Sequence, residues 1–318
     1  MKKNIRQFFL LNTLATGTIH IINRFISTTA EMKNILNTEK GQFYNWKNGS
    51  IFYTKRGTGS PILLVHSLDP ICSSKEWTNL IKKLEKNHTV YTIDLLGCGR
   101  SDKPFLTYTN YLYVQLITDF INDIIGEKVD VITSNRSLSF VVLAHNNNKS
   151  IINKIISINP PELESLKINP DKYAPIRKSL LEIPIIGTFV YHIFISNINI
   201  TKTFRERFYA KPQLVSSKLI DAFYEAAHKK NSGGKYLMAS IEGHYTDNSI
   251  NHALEKIDIP LYLIQSRYGN HFVKKIDEYC NLNDNIEAAY ISNAKELPHL
   301  EVANKLYEII DMFLNNLE

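Results

Sequence analysis

The stretch Ile93-Asp94-Leu95-Leu96-Gly97-Cys98-Gly99-Arg100-Ser101-Asp102-Lys103-Pro104 decides how this sequence is read. It closes a strand read at Val90–Asp94 and makes a turn that Asp94 and Ser101 hold together. Toward the N-terminus, Pro61-Ile-Leu-Leu-Val65 is a short, wholly apolar run, as a strand buried on both faces should be. Ser73 or Ser74 caps a predicted helix running toward Glu85. Phe43–Trp46 and Ile51–Lys55 read as antiparallel strands joined by a turn at Asn48–Gly49. Toward the C-terminus, Tyr108–Ile125 has apolar residues three and four apart, as a helix requires. Val129–Ser134 reads as a strand, Leu138–Asn146 as a helix and Ile152–Ile158 as another strand. Such alternation predicts an α/β fold: a mostly parallel central sheet of about eight strands, flanked by helices on both faces.

From Pro160 the alternation stops. Helical segments follow, including Ile176–Leu181 and Lys218–His228, punctuated by Pro170, Pro184, Pro212 and Gly233–Gly234. Alternation resumes with strands at Ile259–Ser266 and Ile286–Ile291 and helices at Phe272–Cys280 and Leu300–Leu314. One sheet interrupted by a helical block implies an insertion. The expected organisation is an N-terminal basic and apolar segment over 1–40, a core over 41–159 and 251–318, and a helical block over 160–250.

Composition narrows the function classes. Apolar residues at 44% and charged residues at 21% are ordinary globular usage and argue against bulk disorder. The net charge of +6 comes from lysines scattered as singles and pairs, such as Lys82–Lys83 and Lys274–Lys275, with acids between them. No basic stripe interleaved with aromatics appears, so no nucleic-acid partner is expected. Cys72, Cys98 and Cys280 are far apart and form no C-x-x-C pair, which argues against a disulfide scaffold and a zinc site and for a reducing compartment. His192, His228 and His244 have no ligand spacing, and no metal or cofactor is expected.

The N-terminus admits three readings. Lys2, Lys3 and Arg6 precede an apolar-leaning stretch, but Asn12, Thr13, Thr16, Thr18, His20, Asn23 and Arg24 weaken it as a spanning helix. A basic start before an apolar segment also describes a signal peptide, with Thr28-Thr29-Ala30 as a loose cleavage site. The third reading is an interfacial helix, giving membrane contact through residues 5–26. The chain is expected to be cytoplasmic or membrane-associated, with secretion left open.

The order of elements, with the helical block after the sixth strand, resembles the α/β-hydrolase superfamily with its lid, from about residue 42 onward. Pro61-Ile-Leu-Leu-Val-His66-Ser67 is similar to the superfamily strand that ends in His-Gly, whose following loop donates an N–H to an oxyanion hole. The stretch from Asp94 to Pro104 is similar to the D-x-x-G-x-G-x-S-D-x-P turn of lidded members. Leu297-Pro298-His299-Leu300-Glu301 is similar to the P-H-L-E that opens the last helix.

The resemblance implies a serine nucleophile on a tight strand-to-helix turn, a histidine base and an acid. Reading Asn135-Arg136-Ser137-Leu138-Ser139 onto G-x-S-x-G makes Ser137 the candidate nucleophile, with Ser67, Leu68 and Leu138 as oxyanion donors. A second register, Thr133 to Ser137, places Asn135 at the nucleophile position and leaves none. Strand length from Val129 favours the second register; the helix reading from Leu138 favours the first. At the base position stands Glu296, and His299 matches the motif's structural second histidine, a weaker base candidate. At the acid position stands Gly269, followed by Asn270 and His271; Glu162 is a weak substitute. A swapped pair of Glu296 as base and His271 as partner is the sharper alternative, requiring burial to raise the carboxyl pKa.

A hydroxyl without a base is a poor nucleophile. The expected function is therefore a hydrolase relative with a degenerate triad, weak or lost activity, and a small apolar molecule or a partner bound under the lid. The alternative is an active hydrolase of a small ester, acyl or amide substrate using Ser137 with an unconventional base. A third reading is an enzyme of this fold that needs no serine.

Overall fold

The computed structural model describes residues 2–268 and 274–315. A long helix, α1 (Lys2–Glu31), precedes the sheet. The core then runs β1 (Gln42–Trp46), β2 (Gly49–Arg56), β3 (Ser60–Val65), α2 (Thr78–Leu84), β4 (His88–Ile93), α3 (Asn110–Phe120), β5 (Val129–Ser134), α4 (Ser137–Asn147) and β6 (Ile152–Ile158). The helical insertion follows: α5 (Leu163–Leu166), α6 (Ala174–Glu182), α7 (Ile186–Phe194), α8 (Asn197–Thr203), α9 (Ser217–Ser232) and α10 (Gly234–Glu242). After α11 (Asn251–Glu255) the core resumes with β7 (Leu261–Arg267), α12 (Lys274–Cys280), β8 (Ile286–Ser292), α13 (Pro298–Glu301) and α14 (Ala303–Asn315). The expected last helix over Leu300–Leu314 is thus two helices, divided at Val302.

The sheet has eight strands in the order β1-β2-β4-β3-β5-β6-β7-β8. β1 and β2 form an antiparallel hairpin, β2 runs antiparallel to β4, and every other pairing is parallel. The hairpin turn falls at Lys47–Asn48, one residue earlier than expected, because Trp46 pairs with Gly49.

Strand periodicity explains the apolar runs. In β3, Leu63 and Val65 point to one face, where they join Tyr113, Leu116 and Phe120 of α3 and Val141 of α4. Ile62 and Leu64 point to the other, against Trp77, Leu80 and Leu84 around α2 and Leu306 and Ile310 of α14. A strand covered by helices on both sides must be apolar at consecutive positions. A third cluster ties the insertion to the core: Tyr191, Ile200, Phe204 and Phe223 pack with Ile71, Cys72 and Leu297.

The turn after β4 is a buried polar hub. The Asp94 carboxylate accepts from the Ser74 and Arg100 N–H groups at 2.8 Å each and from Arg100 Nε at 2.8 Å. Four hydrogen bonds to a carboxylate beside a guanidinium hold its pKa well below the usual range, in spite of burial. Ser101 Oγ donates to Asp94 O at 2.5 Å and accepts from Phe52 N at 2.8 Å, joining this turn to β2. Gly99 sits at φ +47°, and a Cβ there would collide with the Asp94 carboxylate.

Candidate functional site

β5 decides where the strand-to-helix junction falls. After a register shift between Val129 and Val131 it stays in step with β6 as far as Ser134 opposite Ile158, and Asn135 N still donates to Ile158 O at 3.0 Å. Asn135 then turns to φ 51°, Arg136 returns to right-handed geometry, and α4 begins at Ser137. The left-handed residue at the junction is therefore Asn135, a residue type that tolerates this region. This corrects the register that put Ser137 there. Ser137 lies in the first turn of α4, fully buried, with Oγ donating to His66 O at 2.5 Å. The helical pattern from Leu138 onward misled because the helix starts at Ser137 itself.

The oxyanion expectations change with the register. Leu138 N donates to Asn135 O at 3.2 Å, and Ser67 N to Glu76 Oε1 at 3.2 Å, so both donors are engaged inside the protein. Leu68 N and Arg136 N, which follow the ends of β3 and β5, have no backbone hydrogen-bond partner among the described residues.

His66 fixes the first of these loops. Leu95 N donates to its Nε2 at 2.9 Å, so Nδ1 carries the proton and donates to Ser67 O at 2.7 Å. Full burial keeps the ring neutral by lowering its pKa. His299, the weaker base candidate, sits elsewhere: fully buried, its ring tilted against Trp77 with centroids 4.5 Å apart, and neither ring nitrogen hydrogen-bonded. Burial pushes its pKa down to about 3. Its neighbour is the buried Glu76, 3.6 Å away, whose carboxyl burial raises to about 8. The pair is thus neutral acid beside neutral imidazole at pH 7, behind the Ser67 loop and outside the lining of either cleft described below.

Glu296 does reach the site. Its carboxylate accepts from Arg207 Nη2 at 3.2 and 3.4 Å, an ion pair between the core loop and the insertion. Asn159, at the end of β6 with φ 49°, braces that loop: Nδ2 donates to Lys295 O and Glu296 O at 3.0 Å, and Oδ1 accepts from Ser266 N at 2.7 Å. Gly269 and His271 lie outside the described residues.

Two clefts meet at this point. One, of about 390 Å³, lies between the strand ends and the insertion. Its polar floor holds Asp69, Ser134, Asn135 and Arg136, and its apolar roof includes Phe194, Ile200 and Met238. The second, of about 510 Å³, runs past Asn159, Glu162 and Gln265. Asn135, Arg136, Arg207 and Glu296 line both, so the Arg207–Glu296 pair stands at their boundary. Arg136 is bound by Asp247, which also accepts from His244 Nδ1 at 2.9 Å. Burial raises the Asp69 pKa against the opposing Ile71 N–H bond at 3.0 Å.

With sheet order, crossovers and insertion in place, the solved structures decide the architecture. The Cif epoxide hydrolase of Acinetobacter nosocomialis superposes with a TM-score of 0.71 at 16% identity, over 92% of this chain and 96% of that one. The chain has the α/β-hydrolase fold. A bacterial membrane phospholipase A also superposes on it, with a TM-score of 0.68 at 14% identity, over 99% of both chains. In sequence, a 2-hydroxy-6-oxo-6-(2'-aminophenyl)hexa-2,4-dienoic acid hydrolase of Metapseudomonas resinovorans is 33% identical over 70 residues, 22% of this chain. The aligned part spans about a quarter of the length of the curated relatives. No protein-family model matches. Proteins with hydrolase names thus share this α/β-hydrolase fold.

Sequence reasoning missed Asp69, Arg136, Asn159 and Arg207. Asn159 had a local signal, a polar residue between the β6 strand and Pro160–Pro161. Arg207 had none, because its pairing depends on how the insertion folds back.

Proposed function

We propose that this chain is a non-acylating member of the α/β-hydrolase fold that binds a small molecule under its helical lid. The observation that carries this reading is Asn135 at φ 51° on the β5–α4 junction, where hydrolases of this fold place their nucleophile. An amide side chain has no ionisable proton and forms no acyl-enzyme. Ser137, the hydroxyl of the first register, is closed in by the His66 carbonyl. Glu296 at the base position is engaged by Arg207 instead of a reacting group.

The cleft chemistry suggests the ligand class. A roof of Phe194, Ile200, Phe208 and Met238 suits an apolar body, and the floor at Asn135, with the Leu68 and Arg136 N–H groups, suits a carbonyl or carboxylate end. About 390 Å³ is at the small end of ligand pockets.

Fluorophosphonate labelling of the intact protein tests the reading, with Ser137→Ala as control. No labelling is expected in either protein. Labelling that disappears in Ser137→Ala would establish the rival, a working hydrolase built on Ser137. A thermal-shift screen of short aliphatic and aromatic acids, esters and amides then identifies ligands; Asn135→Leu should abolish the shift they cause.

A further inference from the structure

The first helix is turned inside out. Its protein-facing side carries Asn23 and Ser27, which bond Ile185 O and Ser232 Oγ at 2.8 Å each. Leu10, Leu11, Leu14, Ile21 and Phe25 are each about two-thirds exposed. At about 100° per residue, these five fall within roughly a third of the helix circumference. From residue 10 to residue 18 every position is exposed, so this half of α1 buries no side chain against the body. Isolated helices of that length are marginal in water and are normally held by an apolar contact.

The neighbouring insertion continues the apolar surface. α7 packs beside α1 and exposes Ile186, Ile193 and Phe194, and Ile198 at the start of α8 is 80% exposed. Phe194 also roofs the central cleft. Charge follows the same pattern: Lys2, Lys3, Arg6 and Arg24 occur in α1 before its single acid, Glu31. Between α1 and the insertion lies a cavity of about 390 Å³ lined by Arg24, Lys103, Lys230 and Lys235, with no Asp or Glu among its described lining residues. The Lys103 and Lys235 ammonium groups donate to neutral oxygens of Gly97, Ala226, Glu182 and Thr188. Lys230 is paired with Asp102 and Arg24 with Asn231. Among the described residues no single helix is long and apolar enough to cross a membrane.

We propose that the apolar face of α1, continued by α7 and the start of α8, lies on an anionic phospholipid membrane, with the cationic cavity between α1 and the insertion taking a lipid headgroup phosphate. The apolar stripe enters the acyl boundary while the cavity meets the headgroup layer. This places Phe194, on the roof of the cleft, at the membrane side. The proposal is independent of what the cleft binds.

Co-sedimentation of the full chain with vesicles tests it, using phosphatidylcholine alone and phosphatidylcholine mixed with phosphatidylglycerol. Binding to the mixed vesicles should exceed that to the neutral ones by about tenfold or more and should fall at high salt. The double substitution Leu14→Glu and Ile21→Glu, at exposed positions, should lower binding at least about tenfold with Tm unchanged. Arg24→Glu should weaken binding to mixed vesicles selectively. Failure to bind mixed vesicles overturns the proposal, as does binding indifferent to the Leu14 and Ile21 changes. Inorganic phosphate that stabilises the protein without any vesicle binding would identify a free-anion site instead. Dimerisation without vesicles, abolished by the same double change, would identify a second copy as the occupant. Asn135→Ser should leave vesicle binding unchanged, which separates this test from that of the cleft.

Discussion

Asn135→Ser, alone and combined with Glu296→His, puts the nucleophile position to a quantitative test. The junction residue sits at φ 51°, where an L-residue costs about 1–2 kcal/mol and asparagine bears the cost better than serine. The single change should therefore lower stability by about 1 kcal/mol, visible as a reduced urea midpoint at constant m-value. Glu296→His removes the ion pair with Arg207, whose side chain is 66% exposed, so it adds less than about 1 kcal/mol of further loss. Chemistry should respond more strongly than stability. The introduced hydroxyl at position 135 would stand in the cleft that Leu68 and Arg136 also line, with Glu296, at the base position, held by Arg207. Fluorophosphonate labelling should be nil in wild type and slow in the single variant. A general base contributes about 10²–10⁴-fold, or roughly 3–5 kcal/mol of barrier, so the double variant should label and hydrolyse p-nitrophenyl acetate about 10²-fold faster than the single one. A folded double variant that stays inert would refute the placement of position 135. Brisk wild-type hydrolysis that survives Asn135→Ala would show that catalysis resides elsewhere.

Other substitutions check the supporting structure. Ser137→Ala removes a buried hydroxyl that donates to His66 O and should cost about 1 kcal/mol in urea denaturation, with ligand binding intact. Asp94→Asn leaves the buried Arg100 guanidinium with only the Glu39 carboxylate, 3.8 Å away, and should cost about 3 kcal/mol, read as a lowered Tm. Because the folded Asp94 pKa is depressed, its contribution is present above the unfolded pKa near 3.8 and is lost as pH falls through the lower folded value; the variant should show a shallower acid limb. Glu76 has the opposite sign. Its folded pKa of about 8 against 4.5 unfolded means that stability declines as pH rises between those values, by up to about 1.4 kcal/mol per pH unit. Glu76→Gln, which keeps an acceptor for Ser67 N, should flatten that decline; an unchanged pH profile of Tm would show that the carboxyl does not titrate there.

The architecture was legible because each strand announced its environment. Pro61–Val65 is apolar at every position after the proline since both faces are covered, and the break at Pro160 marked the insertion. The Asp94–Ser101 turn was read correctly as structural, and the sequence also carried the signal that placed Asn135: strand length counted from Val129. That signal competed with a helical run whose beginning cannot be fixed by periodicity, since Ser137 is a polar residue on a buried first turn. The site's charges were beyond reach. Arg207 meets Glu296 across 89 residues, and Arg136 meets Asp247 across 111. Pairings at such separations follow from how the insertion packs, which no local pattern encodes.

Those pairings bear on the proposal that this cleft binds without acylation. The junction, Thr133 to Ser139, contains no glycine for close approach of strand and helix. Ser139 Oγ donates to Arg136 O at 2.9 Å and accepts from Asn110 Nδ2 at 3.0 Å, so hydrogen bonds fasten the first turn of α4. Arg136 is neutralised by Asp247 and Glu296 by Arg207. A general base must have a lone pair free to take a proton at the moment of reaction. In the cleft between the strand ends and the insertion, Glu296 is held in an ion pair, whereas Asp69, its pKa raised by burial, accepts the Ile71 N–H on Oδ1 alone and keeps lone pairs; what the junction lacks is a hydroxyl to deprotonate, because Asn135 stands there. A cleft whose charges are paired in this way is suited to holding a ligand in a fixed orientation, because its polar groups are already ordered before anything binds.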